Sequence, residues 1–269
     1  IDQLDFMVVH DIFMTETAQL ADVVLPGASF AEKEGTFTSS ERRVQRVRKA
    51  VNPPGQAKTD LFIIDQIYKR MDGRGNFDST PSPAEIFAEV AALWPGIAGI
   101  SYNRLEKESL RWPCPTADHP GTEYLFQESF NRPGGKALFT PVPFVASKEM
   151  PDKEYPFVLT TGRELFHYHT GTMTRRSAGL NAVAPEAFVE VNPVDAEVMG
   201  VAEGQKLTVS SRRGSISLKA RVSNIVPRHV VFIPFHYREA AANLLTSDAI
   251  DPICKIMESK VFAVKLEKC

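Results

Sequence analysis

Cysteine is scarce in this chain of 269 residues: only Cys114, Cys254 and Cys269 occur, and no two stand at CxxC spacing. That argues against a structural zinc or an iron–sulfur cluster held by this chain. The missing disulfide framework fits a reducing compartment, so the cytoplasm is the expected location. The periplasm is the alternative if a parent chain carries a signal peptide. Long apolar runs are missing too; none approaches the roughly 18 residues that a membrane-spanning helix needs. Charge of one sign is not in excess. Thirty-one basic residues face 33 acidic ones, for a formal charge of -2, which predicts no nucleic-acid affinity. There is no initiator methionine: the chain opens at Ile1, in the lead-in to an apolar stretch from Leu4 to Val9. The expectation is the C-terminal portion of a longer polypeptide, or one piece of a split subunit.

What is present is ordinary in bulk. Hydrophobic residues make up 43% and charged residues 24%, as in soluble globular proteins, and the length suffices for one large domain or two small ones. Residues 1 to about 135 read as α/β. Phe6–Val9 is a short apolar strand, Thr15 or Thr17 caps a short helix, and Ala21–Pro26 is a second strand stopped by Pro26-Gly27. Strand, polar turn, helix and strand is the pattern of a parallel sheet that binds ligands at strand C-termini. Asp11 sits at such an end; it suits a ribose or guanine edge, or a helix or turn cap. The basic cluster Arg42, Arg43, Arg46, Arg48 and Lys49 alternates with Val44, Val47 and Val51, which suggests partly buried extended or irregular chain. A solvated face is the usual explanation of such a run. Apolar residues at Leu61, Ile64, Ile67, Tyr68 and Met71 repeat at helical period from Thr59 to Met71. Ser82-Pro83-Ala84-Glu85 is a capping box that opens a helix to about Trp94. Cys114, in the rigid run Trp112-Pro113-Cys114-Pro115, has no partner at ligand spacing and reads as structural.

Pro141, Pro143 and the charged segment Lys148 to Lys153 mark a linker into a second domain. Beyond it the pattern changes to short strands. Tyr155–Leu159 is a buried strand running into Thr160-Thr161-Gly162. Asn192-Pro193 caps a short helix to Met199, closed by Gly200. Leu207–Val209 and Ile216–Leu218 alternate around the turn Ser211–Gly214, and Val230–Ile233 reads as a fully buried strand. Periodicity alone predicts a compact, mostly β domain, with a small closed barrel as its natural form. After the first of these strands comes the densest run of donors in the chain: Arg163, Glu164, His167, His169, Thr170, Thr172, Thr174, Arg175 and Arg176. Glycine permits close backbone approach, arginine offers a bidentate fork, and hydroxyls and imidazoles supply orientable donors. Such a loop grips a polyanionic or heteroatom-rich ligand; the alternative is a polar surface loop with two ordinary histidines.

Three phrases occur in order: TTGRELFHYHTGTMTRRS, NPVDAEVMGVAEGQKLTVSSRRGSISLKARVS and FIPFHYREAAANLLTSDAIDPICKIMESKVFAVKLE. Together they resemble the C-terminal domain of molybdopterin-dependent oxidoreductases, and most nearly the catalytic subunit of molybdenum- or tungsten-containing formate dehydrogenases. MVVHDIFMTETAQLADVVLPGASFAEKEGTFTSSERRVQRVRKAV resembles the end of the preceding cofactor domain of the same family. The resemblance implies residues 1–140 as the end of a parallel-sheet α/β cofactor domain. Residues 141–269 are then a dinucleotide-binding, mostly β double-psi β-barrel.

The implied cofactor is a pair of molybdopterin guanine dinucleotides chelating molybdenum or tungsten through four dithiolene sulfurs. Position by position, Asp11 and Thr15 match a segment that contacts a guanosine. Arg163, Glu164, His167, His169 and Thr170 match the loop across the pterin and pyrophosphate. His236 and Asn243 match a late loop closing over a pterin, and Lys260 matches a lysine that reaches a cofactor. Taken singly, Asn243 also suits a turn cap, Lys260 a solvated lysine and His236 a satisfied core histidine. One arginine of the cluster from Arg42 to Arg48 is also expected near the cofactor. The family's iron–sulfur cysteines, metal-bound cysteine or selenocysteine, adjacent histidine and formate-holding arginine precede this region. No catalytic or metal-ligating residue is therefore assigned, and the chain by itself is expected to be silent. The implied partners are the remainder of the catalytic subunit, with its [4Fe-4S] cluster, an iron–sulfur or flavin electron-transfer subunit, and formate or carbon dioxide as substrate. NAD(P), a hydrogenase or a ferredoxin is the expected acceptor. The alternatives are a nitrate reductase or formylmethanofuran dehydrogenase type of oxidoreductase, and a non-catalytic scaffold like the degenerate member in respiratory complex I.

Overall fold

The computed structural model of the chain describes residues 1–72 and 80–269. Two compact units divide it, Ile1–Phe139 and Thr140–Cys269.

The first unit opens with β1 (Val8–Asp11), α1 (Glu16–Gln19) and β2 (Val23–Pro26). The two strands pair in parallel, with Val8 opposite Val23 and Asp11 opposite Pro26. A parallel pair needs a crossover, and Thr15 starts it: its hydroxyl accepts from the Ala18 N–H at 3.2 Å. Both strands begin two residues later than the apolar pattern predicts. The basic cluster forms a hairpin, β3 (Gly35–Thr38) with β4 (Arg43–Val47), rather than irregular chain. Its arginines close inside the unit. Arg42 donates to the carbonyls of Trp112 and Glu123, Arg43 to Ser109, and Arg46 and Arg48 both meet Glu106. Helices α2 (Asp60–Asp72) and α3 (Pro83–Leu93) match their expected spans within one residue. The Ser82–Glu85 capping box is formed in both directions, at 3.2 and 2.7 Å. A short α4 (Tyr102–Leu105) and β5 (Leu110–Arg111), paired with β4, complete the unit. Val44, Ala91, Ile97, Ile100, Leu105 and Leu110 pack around the fully buried Cys114, whose role is thus in the core.

The second unit is a closed six-stranded barrel with two short α-helices inserted. Its elements are β6 (Phe157–Gly162), α5 (Ala178–Val183), β7 (Phe188–Val191), α6 (Pro193–Met199), β8 (Lys206–Ser210), β9 (Ser215–Val222), β10 (Val230–Pro234) and β11 (Phe262–Lys268). The closed order is β10, β6, β11, β8, β9, β7. The pairs β10–β6 and β7–β9 are parallel and the other four antiparallel, the mixed closure of the expected double-psi type. One face of each strand fills the interior with Leu159, Val189, Val191, Leu207, Val209, Leu218, Val231, Ile233 and Phe262. Burying each large aliphatic contributes about 1.5–3 kcal/mol. Val230–Ile233 is therefore not buried on both faces: Val231 and Ile233 are interior, while Phe232 faces outward and is only partly covered. Helix α6 starts at Asn192, whose side chain accepts from the Val194 N–H at 3.0 Å, and stops at Gly200, where φ is +62°. The charged stretch read as linker is tied down. Glu149 accepts from the Ala263 N–H at 2.8 Å and pairs with Arg213 at 2.6 Å. Among the described residues no helix is long and apolar enough to cross a membrane.

Candidate functional site

The donor-rich loop leaves the end of β6 and folds back on the segment after β10, and a histidine makes the join. His236 is 3% exposed. Its Nε2 accepts from the Glu164 N–H at 2.7 Å, and its Nδ1–H donates to the His169 carbonyl. Those two backbone partners require the neutral ring with the proton on Nδ1. Burial lowers the His236 pKa, the His169 carbonyl pushes it back up, and His167 and Arg163 lower it further. The clasp puts His169 at φ +50° and Gly171 at φ +76°. Glycine is required at 171, because a Cβ there would lie 2.8 Å from Arg175 Cγ and 3.1 Å from the His236 carbonyl oxygen.

A second histidine holds the loop from within. His167, also 3% exposed, donates from Nε2 to the Ala184 carbonyl at 2.7 Å. Its Nδ1 then accepts from the Thr174 hydroxyl at 3.2 Å, and that hydroxyl accepts from the Tyr168 N–H at 3.1 Å. Tyr237 is fully buried and donates to Glu164 Oε2 at 2.7 Å. Burial and the adjacent Glu164 push its phenol well above the usual tyrosine range. Arg175 lies 4.7 Å from the Tyr237 ring centroid and forks onto Glu239 at 2.7 and 2.9 Å. Sequence reasoning missed Tyr237, Arg175 and Glu239 as a unit; the pattern Phe235-His236-Tyr237-Arg238-Glu239 held the signal.

Five predicted residues keep free groups. Arg163 is exposed and makes no hydrogen bond or ion pair to another described residue. The exposed Asn243 has no side-chain partner among the described residues. Thr170 shares a 3.2 Å hydrogen bond with Thr172 on the surface, and the His169 ring packs near Phe235. Lys260 donates one of its three N–H bonds to the Thr161 carbonyl at 2.6 Å, next to the loop's start. Asp11 and Thr15 belong to the first unit. Asp11, at the C-terminal end of β1, accepts from the Phe13 N–H at 3.1 Å, and Thr15 caps α1.

Beside the loop a cavity of about 450 Å³ opens on the barrel's outer face. Residues paired across neighbouring strands make its floor: Thr160 opposite Phe232, Phe232 opposite Glu190, and Glu190 opposite Arg221. Phe188, Arg163, Glu164 and the segment 225–227 complete the wall. The Arg221 guanidinium lies over the Phe188 ring at 3.3 Å and 3.8 Å from Glu164 Oε1.

Two family models match the chain, one within each unit. The family described as Molydopterin dinucleotide binding domain matches residues 157–263, and Molybdopterin oxidoreductase matches residues 1–70. The chain is 51% identical to the F420-dependent formate dehydrogenase 2 subunit alpha of Methanococcus maripaludis, over 98% of this chain and 39% of that one. It is 42% identical to the assimilatory nitrate reductase catalytic subunit of Bacillus subtilis, over 98% of this chain and 38% of that one. It is 38% identical to formate dehydrogenase H of Escherichia coli, over 99% of this chain and 37% of that one. The chain thus spans about two fifths of the length of the curated relatives it matches. Among solved structures, acetylene hydratase from Pelobacter acetylenicus superposes with a TM-score of 0.74 at 20% identity, over 98% of this chain and 40% of that one. That likeness bears on the fold alone. A parallel strand–helix–strand start, a closed mixed barrel and two domain matches in chain order make this protein a member of the molybdopterin oxidoreductase family.

Proposed function

We propose that this chain is the cofactor-holding C-terminal part of a formate dehydrogenase that reversibly converts formate to carbon dioxide, a proton and two electrons. The observation that carries this reading is identity of 49–51% to formate dehydrogenase alpha subunits of two methanogens, over 98% of the chain. When bound, molybdenum or tungsten on two molybdopterin guanine dinucleotides supplies the two-electron chemistry. The residues fit such a group. Arg163 presents an uncommitted guanidinium suited to a pyrophosphate, and Thr170, His169 and Asn243 keep polar groups on the exposed surface. Lys260 adds two further N–H bonds. His167, His236 and Tyr237 spend their hydrogen bonds on the loop backbone, Ala184 and Glu164. Their part is to fix the loop's shape and its donors before the ligand arrives. Asp11 and Thr15 are proposed to serve a guanosine through the turn that they shape. The groups acting on the formate carbon are proposed to lie elsewhere in the complete enzyme. Iron–sulfur clusters would carry the electrons onward. The names of the methanogen relatives favour F420 as the final acceptor, reached through a partner subunit.

The test is formate-dependent reduction of viologen by the anoxic native complex that contains this chain. Turnover supports the reading. A preparation with metal and pterin intact but no formate activity refutes it. The 42% identity to a nitrate reductase makes oxidation of reduced viologen by nitrate the second assay.

A further inference from the structure

The cavity on the outer face of β6, β10, β7 and β9 contains a group that the fold leaves incomplete. Glu190 is 8% exposed and lines the cavity, yet its carboxylate makes no hydrogen bond or ion pair to another described residue. The carboxylate oxygens keep some contact with solvent in the cavity, yet the side chain is largely enclosed and no protein donor replaces the water it has lost, which is costly. Burial raises the Glu190 pKa, Arg221 pulls it back down, and Glu164 raises it further. Everything else in the cavity suits a flat, polar heterocycle. Phe232 offers an aromatic ring, Arg221, stacked on Phe188, a guanidinium plane, and Arg163 a free cation.

We propose that Glu190 receives a 2-amino-4-oxopyrimidine edge, in which a ring N–H stands beside an exocyclic amino group. Two adjacent donors match the two oxygens of one carboxylate, and the pairing is planar and bidentate. Guanine and a pterin both carry this edge. Adenine presents an acceptor there and is repelled. Arg163, which lines the same cavity and is exposed, is then available to a phosphate or pyrophosphate. This assignment rests on the cofactor reading above and adds Glu190 as its specificity-determining residue.

The test is calorimetric titration of the 269-residue chain with guanosine monophosphate, adenosine monophosphate and neopterin. Guanosine monophosphate or neopterin should bind at least about 10-fold tighter than adenosine monophosphate, and whichever binds more tightly names the end of the cofactor received. E190Q should abolish the discrimination while leaving the melting temperature equal or higher, since it removes a largely enclosed carboxylate that no protein donor pairs. A residue with a purely structural role would lower it. E190L, which keeps the volume, is the second variant and should behave alike. Equal binding of the two nucleotides, no binding of either guanosine monophosphate or neopterin, or undiminished discrimination in both variants would overturn the proposal. This readout does not involve formate turnover, so the enzyme reading and the Glu190 assignment fail separately.

Discussion

Replacing His236 by leucine tests whether the loop is held by that side chain. Leucine keeps the apolar bulk and removes both ring nitrogens. The Glu164 N–H, bonded at 2.7 Å, and the His169 carbonyl both lose their partner. A buried group left unpaired costs about 1–3 kcal/mol, so two would cost about 2–6 kcal/mol if the loop stayed in place. Both ends lie near solvent and can swing out to water, so the expected loss is in the lower half, about 2–4 kcal/mol. For a unit of this size about 3–4 °C of melting temperature accompanies each kcal/mol, which predicts a drop of about 6–16 °C. Hydrogen exchange at the Glu164 amide should accelerate in the same variant. Acid should act in the same direction. The folded-state pKa of His236 is lowered, so the neutral ring contributes fully above the unfolded value of about 6.5. As pH falls below that value the unfolded chain takes up the proton first. The contribution is lost until the folded ring also protonates, when its Nε2 can no longer accept from Glu164. A leucine variant with wild-type melting and unchanged Glu164 exchange, or a loop more protected at pH 5 than at pH 8, would refute the clasp.

Three further outcomes follow from the same geometry. Arg163→Ala should change stability by no more than about 0.5 kcal/mol, because the side chain pairs with no other described residue, while lowering bound metal and pterin in the complete enzyme. Chemical denaturation and elemental analysis read the two effects, and a fully loaded variant would remove Arg163 from the site. Gly162→Ala places a Cβ 2.5 Å from Phe232 Cε2, so it should cost about 1–3 kcal/mol; Phe232→Leu in the same chain should recover most of that, as a double-mutant cycle would measure. Tyr237→Phe should lose about 1–2 kcal/mol, since Glu164 Oε2 surrenders a 2.7 Å hydrogen bond in a buried setting; urea midpoints that match the parent would show the bond to be idle.

The elements with local signals were legible in the sequence. Helices α2 and α3 announce themselves by period and capping box, and α6 by Asn192-Pro193 and Gly200. The strands β7 and β11 were not read as strands. β7 is buried along its whole length with a glutamate inside it, and β11 changes from apolar Phe262–Val264 to charged Lys265–Lys268, so neither keeps a strict alternation. The basic run around Arg42 to Arg48 looked like a face for solvent or ligand. Its acceptors, Trp112, Glu106, Ser109 and Glu123, lie about 60 to 80 positions away, where no local pattern can announce them.

The same distance separates the two kinds of residue in the candidate site. From the sequence, Arg163, Glu164, His167, His169, Thr170 and His236 form one class, polar groups awaiting a ligand. In the structure His167 and His236 have both ring nitrogens occupied, and Glu164 is held by Tyr237 across 73 positions. A side chain whose hydrogen bonds close within the fold has little left to offer a ligand, though it can set where other donors stand. The groups that remain incomplete are the informative ones: the Arg163 guanidinium, the Asn243 amide and the Glu190 carboxylate. A fold that buries a carboxylate without a partner gives up stability in the free chain, and a ligand supplying donors recovers it on binding. Unlike the loop, Glu190 sits within an apolar strand and carries no motif. It became visible only when strand register set it opposite Phe232 and Arg221.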